Sequence, residues 1–100
     1  MKKSVKEEVL NLIEEMKLDC SIENFKEKAN WYCISFLKKL SEEFIREFQN
    51  EVNWYYISLS QRLSEEFIRE FQDKVDWYYI SKYQTLSKDF IKEFQDKVYL

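Results

Sequence analysis

The sequence contains no glycine, no proline and no histidine, and it has only two cysteines. Without histidine, the serine–histidine and cysteine–histidine pairs that activate a nucleophile cannot be built. Two cysteines alone cannot supply the roughly four ligands that a zinc ion requires. Without glycine, a phosphate-binding loop of the P-loop or dinucleotide type is excluded. These absences predict a protein that is not an enzyme, has no catalytic residues and holds no metal ion or cofactor.

Long apolar runs and a strong excess of one charge are also missing. The longest apolar runs have four residues, whereas a membrane-spanning helix requires about 20. The opening text MKKSVKEEVLNLIEEMK lacks the apolar core of a signal peptide. The net charge of −3 gives no basic footprint for nucleic acid or for an anionic membrane. We therefore expect a cytoplasmic protein with no membrane partner, and the composition argues against nucleic acid as the partner.

What the sequence does contain is an internal repeat with a fixed period. Trp31, Trp54 and Trp77 are evenly spaced, and the segments 40–62 and 63–85 are identical at 17 of 23 positions. Self-similarity with a period of about 20–50 residues marks stacked architectures in which each repeat packs on its neighbours. We predict a single domain over 1–100. It is divided into a capping helix (1–17), a degenerate repeat (18–39), two full repeats (40–62 and 63–85) and a half repeat (86–100).

Each repeat is predicted to form two short helices, A and B. At 100° per residue, the apolar stripe changes sides between Val52 and Trp54, so one long helix is excluded. Serine precedes helix A, of about eleven residues, and Asn or Asp precedes helix B, of about nine; the predicted N-caps are Ser41, Ser64, Ser87, Asn30, Asn53 and Asp76. The predicted fold class is all-α, a short α-solenoid-like stack of about eight paired helices.

Three local features follow from the same reasoning. Because glycine is absent, turn residues such as Asn50 or Asp73 are expected to adopt left-handed backbone angles. The first helix, about 4–17, is expected to begin with a capping box between Ser4 and Glu7. The two cysteines, Cys20 and Cys33, fall on the order of 12–15 Å apart in an antiparallel helix pair. A disulfide requires about 7 Å between Cα atoms, so we predict two free thiols.

The text LSEEFIREFQDKVDWYYISKYQ, residues 63–84, resembles a tandem helical repeat found in AT-rich virus, phage and bacterial genomes. The likeness covers about 40–98 well and 17–39 loosely. It implies short paired helices, and it brings no catalytic residues with it.

The recurring tyrosines of helix B are the main candidates for a binding surface. Tyr55 and Tyr78 lie about 100° from the tryptophan face of the helix, and Tyr56 and Tyr79 lie about 200° from it, with Tyr83 beside Tyr79. These rings either fill the grooves between repeats or form an exposed strip that binds a partner, because tyrosine is favoured at interfaces. Stacking on single-stranded bases is a third option.

A basic residue also recurs, at Arg46 and Arg69 in helix A. Helical RNA-binding repeats use such recurring side chains to read one base per repeat. The alternative is a structural ion pair one helical turn earlier, between Arg46 and Glu42 and between Arg69 and Glu65.

These observations predict a non-enzymatic module that binds another protein. The partner-binding candidates are Tyr55, Tyr56, Tyr78, Tyr79, Tyr83, Arg46 and Arg69. A small repeat protein of this type would fit an inhibitor from a phage or mobile element that docks on a host defence nuclease. Two alternatives stay open. One is a single-stranded nucleic-acid binder using Tyr with Arg or Lys. The other is a self-assembling structural protein, a homo-oligomer joined through the edge of 86–100.

Overall fold

The structure, a computed structural model, describes residues 1–99 and consists of helices connected by short turns. The helices are α1 (Lys3–Glu15), α2 (Ile22–Lys28), α3 (Trp31–Leu37), α4 (Glu42–Glu47), α5 (Trp54–Ser60), α6 (Glu65–Glu70), α7 (Trp77–Tyr83) and α8 (Lys88–Glu93). Within residues 1–99 there is no strand, so the predicted all-α stack of about eight helices is confirmed.

The helices form two layers that follow the repeat. The helices A of successive repeats are α2, α4, α6 and α8, and the helices B are α3, α5 and α7. Within the B layer, α5 packs between α3 and α7, while α1 packs on α2 and α4 at the start of the stack. The molecule is elongated, with extents of 45 × 22 × 18 Å, because each repeat contacts mainly its neighbours.

The predicted N-caps of both helix types are confirmed. Before α4, the hydroxyl of Ser41 accepts a hydrogen bond from the backbone N–H of Phe44 at 3.0 Å. Before α5, the side-chain carbonyl of Asn53 accepts one from the backbone N–H of Tyr56 at 3.2 Å. The equivalent caps are Ser64, Ser87, Asn30 and Asp76. These caps satisfy N–H groups that have no partner inside the helix.

The predicted lengths of the helices and their turn angles are wrong. The A helices of the full repeats have six residues and the B helices have seven. Helix α4 ends because Phe48 leaves helical angles, and the carbonyl of Phe48 then accepts from the N–H groups of Glu51 and Val52. This compact turn needs no left-handed residue at Asn50. In the described part of the chain, only Lys17 has a positive φ, of 53°.

The predicted capping box of the first helix is also wrong. Helix α1 begins at Lys3, one residue after the N-cap Lys2, and no side chain caps it. Ser4 therefore lies inside the first turn, where its hydroxyl cannot take the N-cap role. The prediction of two free thiols is confirmed, since Cys20 and Cys33 are both free and half-buried.

The tryptophans connect each repeat to the next one. The indole N–H of Trp54 donates to the backbone carbonyl of Gln49 at 2.9 Å. Its ring lies 6.1 Å from Phe67 and 5.2 Å from Phe71, both in the following A segment. Trp31 and Trp77 make the equivalent contacts. The core is therefore one continuous apolar cluster along the stack, in which edge-to-face and offset ring packing adds to simple burial.

Candidate binding surface

The B helices are held in register by glutamine side chains that connect equivalent loops. The amide oxygen of Gln61 accepts from the backbone N–H of Leu40 at 3.0 Å, and its nitrogen donates to the carbonyls of Ser35 and Lys38 at 3.1 and 2.6 Å. Gln84 makes the same three contacts one repeat later, with Leu63, Ser58 and Gln61. We call these two side chains the glutamine clamps.

A buried serine fixes the start of each following B helix. The hydroxyl of Ser35 accepts from the backbone N–H of Asn53, and that of Ser58 accepts from Asp76, both at 2.9 Å. At the end of the stack, the hydroxyl of Ser81 accepts in the same way from the backbone N–H of Tyr99. Because both ends of each B helix are fixed to its neighbour, side chains of successive B helices are brought face to face across the B layer.

Tyrosine hydroxyls pair across these helix boundaries. Tyr32 on α3 and Tyr56 on α5 share a hydrogen bond of 2.6 Å, and Tyr55 on α5 and Tyr79 on α7 share one of 2.7 Å. The rings of each pair meet edge to face, with centroids 4.6 and 4.7 Å apart. Both residues of each pair therefore present a fixed ring orientation rather than a free rotor.

The pairs join into one continuous aromatic surface, which we call the tyrosine strip. It contains Tyr32, Tyr55, Tyr56, Tyr78, Tyr79, Tyr83 and Tyr99, all seven tyrosines of the chain. Successive rings are 4.6–5.9 Å apart from Tyr32 to Tyr99. Phe36 extends the strip beside Tyr56, at 5.0 Å.

The strip is open to solvent although its rings touch each other. Tyr32, Tyr55 and Tyr78 are 56%, 43% and 47% exposed, whereas Tyr56 and Tyr79 are half-buried. The hydrogen bond shared with Tyr55 raises the pKa of Tyr79 to about 12, and the bond shared with Tyr32 raises the pKa of Tyr56. Both phenols are therefore neutral at physiological pH.

The two layers differ sharply in charge. Helices α3, α5 and α7 together contain one charged side chain, Lys82. In each of α4, α6 and α8, by contrast, four of the six residues are charged. Protein interfaces are depleted in charge at their centre and enriched in tyrosine. The B layer has this composition, and the A layer has the composition of a solvated surface.

The structure brings all five predicted tyrosines together on the strip. Tyr83 stacks on Tyr79 with ring centroids 5.9 Å apart and planes 12° apart. Sequence reasoning missed Tyr32 and Tyr99. Tyr32 could have been found, because it occupies the same position in the degenerate repeat as Tyr55 does in the first full repeat. Tyr99 could not, because its position in the repeat is that of the N-cap Asn53.

The two predicted arginines lie on the A layer, away from the tyrosine strip. Arg46 forms a bidentate ion pair with Glu70, with N–O distances of 3.0 and 2.7 Å, and it also donates a hydrogen bond to Glu43. Arg69 pairs in the same way with Glu93. The expected pairing one turn earlier, with Glu42 and Glu65, is therefore wrong. Each guanidinium instead reaches the next repeat.

The carboxylates Glu42 and Glu65 have a different role. Glu42 accepts from both the backbone N–H and the hydroxyl of Ser64, at 2.7 and 3.0 Å. Glu65 does the same with Ser87, and Glu8 of α1 does it with Ser41. Helix α1 thus supplies to the first full repeat the contact that a preceding repeat supplies to the second.

The edge at 86–100, predicted as a self-assembly surface, has its large rings covered within the chain. Phe90 and Phe94 are buried, with the ring of Trp77 lying 6.2 and 5.2 Å from them. Exposed at this edge is Tyr99, whose backbone N–H donates to Ser81. Leu100 lies outside the described residues.

No group of side chains in residues 1–99 converges as a metal site. None of the helices described there is long and apolar enough to cross a membrane. Comparison of the chain with protein-family models, with curated proteins and with solved structures finds no match. The resemblance to a repeat of AT-rich genomes therefore stays a prediction.

Proposed function

We propose that this protein is a non-enzymatic module that binds another protein through the tyrosine strip. The observation that carries the proposal is the continuous, solvent-exposed row of tyrosine rings on a layer with a single charged side chain. Exposed apolar patches of this kind are uncommon on monomeric proteins unless they bind something.

The rigidity of the strip supports the proposal. The hydroxyl pairs Tyr32–Tyr56 and Tyr55–Tyr79 hold the rings before any partner arrives. Binding then immobilises few side chains, which lowers the entropy cost of association. Tyrosine also offers large contact area with only two side-chain torsions, as in antibody paratopes.

The experiment is quantitative affinity capture with two variants of the strip. Tyr55→Ala with Tyr78→Ala removes two exposed rings, and Tyr55→Phe with Tyr78→Phe keeps the rings while removing the hydroxyls. We expect the alanine variant to bind the captured protein about thirtyfold more weakly or worse, because the two rings together should contribute at least about 2 kcal/mol. The phenylalanine variant should keep most of it.

The matched control is Glu66→Ala with Asp89→Ala, two exposed positions on the A layer. This variant should capture the same protein as the native chain. If alanine at the strip and alanine at the control positions reduce capture equally, the strip is not the binding surface. Far-UV circular dichroism of all three variants establishes that each is folded.

The inhibitor version of this proposal places a host defence nuclease as the partner. It is supported by the small size, by the resemblance of 63–84 to a repeat of phage and virus genomes, and by the acidic balance of the chain. Its test is direct: the purified protein is added to nuclease activities of the native host, and the native chain should inhibit where the alanine variant does not.

A second candidate is single-stranded nucleic acid, favoured by the position of Lys82 over the rings of Tyr78 and Tyr83, at 5.7 and 5.5 Å. Aromatic side chains flanked by cations are a common platform for stacked bases. A labelled oligonucleotide titrated at about 50 mM salt decides this, because phosphate contacts are strongest at low salt. We expect no saturable binding.

A further inference from the structure

The differences between the two full repeats fall into two groups of three. Equivalent positions of the repeats 40–62 and 63–85 are written here as pairs of numbers. One group of differences lies in the turn from helix A to helix B, at 50/73, 51/74 and 53/76. The other lies at the end of helix B, at 59/82, 60/83 and 62/85. None of the differing side chains is buried, so core packing does not fix their identity. We call the second region, residues 36–39, 59–62 and 82–85, the helix B edge.

Two adjoining grooves lie between successive copies of the helix B edge. The first, of about 410 Å³, is lined by Phe36, Leu37 and Lys39 on one side and by Arg62 on the other. The second, of about 480 Å³, is lined by Leu59 and Arg62 on one side and by Tyr83 on the other. Arg62 lines both grooves and therefore lies between them.

The polar groups at the base of the grooves are already satisfied. Gln61 and Gln84 use their amides for the glutamine clamps, and the hydroxyl of Ser60 donates to the carbonyls of Ser35 and Tyr56. The walls thus present the exposed apolar and cationic side chains, with Leu37 67% exposed. The grooves are preformed, so a ligand does not have to order them.

The helix B edge is basic within an acidic protein. It carries Lys38, Lys39, Arg62 and Lys82 and no carboxylate, although the net charge of the chain is −3. Lys38 pairs with Glu15 at 3.2 Å. Among residues 1–99 no ion pair involves the other three cations. Their charges are available to an incoming carboxylate.

We propose that these grooves bind an acidic polypeptide segment that also carries apolar side chains, with Arg62 as the central carboxylate-binding residue. The proposal rests on the protein-binding function proposed above and names the chemistry of the partner. Arginine suits this role because its planar guanidinium binds a carboxylate with two parallel hydrogen bonds. Apolar side chains of the segment would lie against Phe36, Leu59 and Tyr83. Tyr83 also belongs to the tyrosine strip, which makes the two surfaces continuous.

The test uses fluorescence anisotropy with three labelled probes of similar length. One is a peptide in which aspartate alternates with leucine or phenylalanine, one has asparagine in place of each aspartate, and one is oligothymidine. We expect the aspartate peptide to bind about tenfold more tightly than the asparagine peptide at low salt, with the difference shrinking at about 150 mM salt. Equal binding of the two peptides, tighter binding of oligothymidine, or no binding of any probe overturns the proposal.

The protein variants use residues that the repeat itself already accepts. Arg62→Thr copies Thr85, and its control Lys88→Glu copies Glu65 at the equivalent place in α6. The control removes more positive charge than the test variant, yet it lies on the A layer. We expect Arg62→Thr to weaken the aspartate peptide about fivefold and Lys88→Glu to leave it unchanged. The reverse order overturns the proposal.

A pair of charge-neutral swaps separates position from total charge. The test swap is Leu59→Lys with Ser60→Tyr and Arg62→Thr, and the control swap is Asn50→Asp with Glu51→Lys and Asn53→Asp. Each replaces one group of differing residues by its counterpart in the second repeat. Only the test swap should reduce binding of the aspartate peptide. If both swaps reduce the affinity for the aspartate peptide equally, the peptide does not bind at the helix B edge.

The capture experiment tests the tyrosine strip and the peptide experiment tests the grooves, so the two proposals can fail separately. Loss of capture in the tyrosine alanine variant, together with equal affinity for the aspartate and asparagine peptides, retains the strip and rejects an acidic partner. Unchanged capture in that variant, together with binding that depends on Arg62, retains the grooves and rejects the strip. Sedimentation of the native chain shows in addition whether a second copy occupies the grooves. A dimer broken by Arg62→Thr rejects the acidic segment.

Discussion

Gln61 donates a hydrogen bond from its side-chain amide to the backbone carbonyl of Lys38, in the preceding repeat, at 2.6 Å. The amide also serves Leu40 and Ser35, and it is almost completely buried. A single side chain therefore satisfies three backbone groups, one in the last turn of α3 and two in the connection that follows it. Buried backbone groups that lose their partners are costly, so the glutamine clamps contribute to stability as much as to geometry.

Replacing this clamp should destabilise the fold strongly. We expect Gln61→Ala to lower the free energy of unfolding by about 2–4 kcal/mol, since the N–H of Leu40 and the carbonyl of Lys38 lose their partner. The carbonyl of Ser35 keeps its bond from the hydroxyl of Ser60. Gln72→Ala is the matched control, because the side chain of Gln72 makes a single hydrogen bond, to the carbonyl of Arg69 three positions earlier. This substitution should cost less than about 1 kcal/mol. Urea unfolding followed by tryptophan fluorescence measures both. If the two variants lose the same free energy of unfolding, the glutamine clamp stabilises the fold no more than an ordinary side-chain hydrogen bond does.

The ion pair between Arg46 and Glu70 predicts how stability responds to acid. The hydrogen bond from Arg46 lowers the pKa of Glu70 below its ordinary value of 4.5. A carboxyl whose folded pKa is depressed stabilises the fold above its unfolded pKa, and this stabilisation is lost as pH falls through the folded value. We expect Glu70→Gln to be less stable than the native chain at pH 7. The difference should shrink below the ordinary pKa, and urea midpoints across the pH range measure it. A constant difference contradicts the assignment.

The hydroxyl pair Tyr55–Tyr79 predicts a late tyrosine titration. The pKa of Tyr79 is raised to about 12, first by the hydrogen bond with Tyr55, against an ordinary value of 10.0. A raised folded pKa stabilises the fold below the unfolded pKa and loses this effect as pH rises through the folded one. Stability should therefore fall between about pH 10 and 12. Tyrosinate absorbance should show a late step in the native chain that moves to lower pH in Tyr55→Phe. A native chain whose tyrosines all titrate near their ordinary value would exclude the hydroxyl pair.

The two cysteines should remain thiols in the native protein. The structure has Cys20 and Cys33 free, and a cross-link requires Cα atoms within about 7 Å. We expect the intact mass to equal that of the fully reduced chain. Alkylation after denaturation should then modify both residues. A mass lower by two hydrogens would instead require a disulfide.

The half repeat should not drive self-association. Trp77 lies against Phe90 and Phe94, so the largest apolar side chains of this edge are already covered. We expect a monomer in sedimentation velocity at two concentrations that differ by about tenfold, because association would make the sedimentation coefficient depend on concentration. A concentration-dependent shift that Tyr99→Ala abolishes would support the self-assembling alternative.

The repeat period predicted the fold class, and the N-caps predicted the start of each helix from α3 to α8. Ser41 and Asn53 could be identified as caps because capping depends on a residue and its neighbours three positions on. The lengths of the helices could not be predicted so well. A helix end such as Phe48 is decided by the turn that follows it and by packing on the next repeat. The absence of glycine suggested left-handed angles in that turn, but its residues all have negative φ angles.

The sequence by itself determined the repeat, the absence of histidine and glycine, and the tyrosines that recur with the period, because these depend only on residue identity and spacing. Only the tertiary structure decided which tyrosines face each other, because Tyr55 meets Tyr79 across two packed helices rather than within one. It also decided that Arg46 reaches Glu70 rather than Glu42. A long side chain on a stacked helix has partners in two repeats, and the closer geometry is set by how the repeats pack.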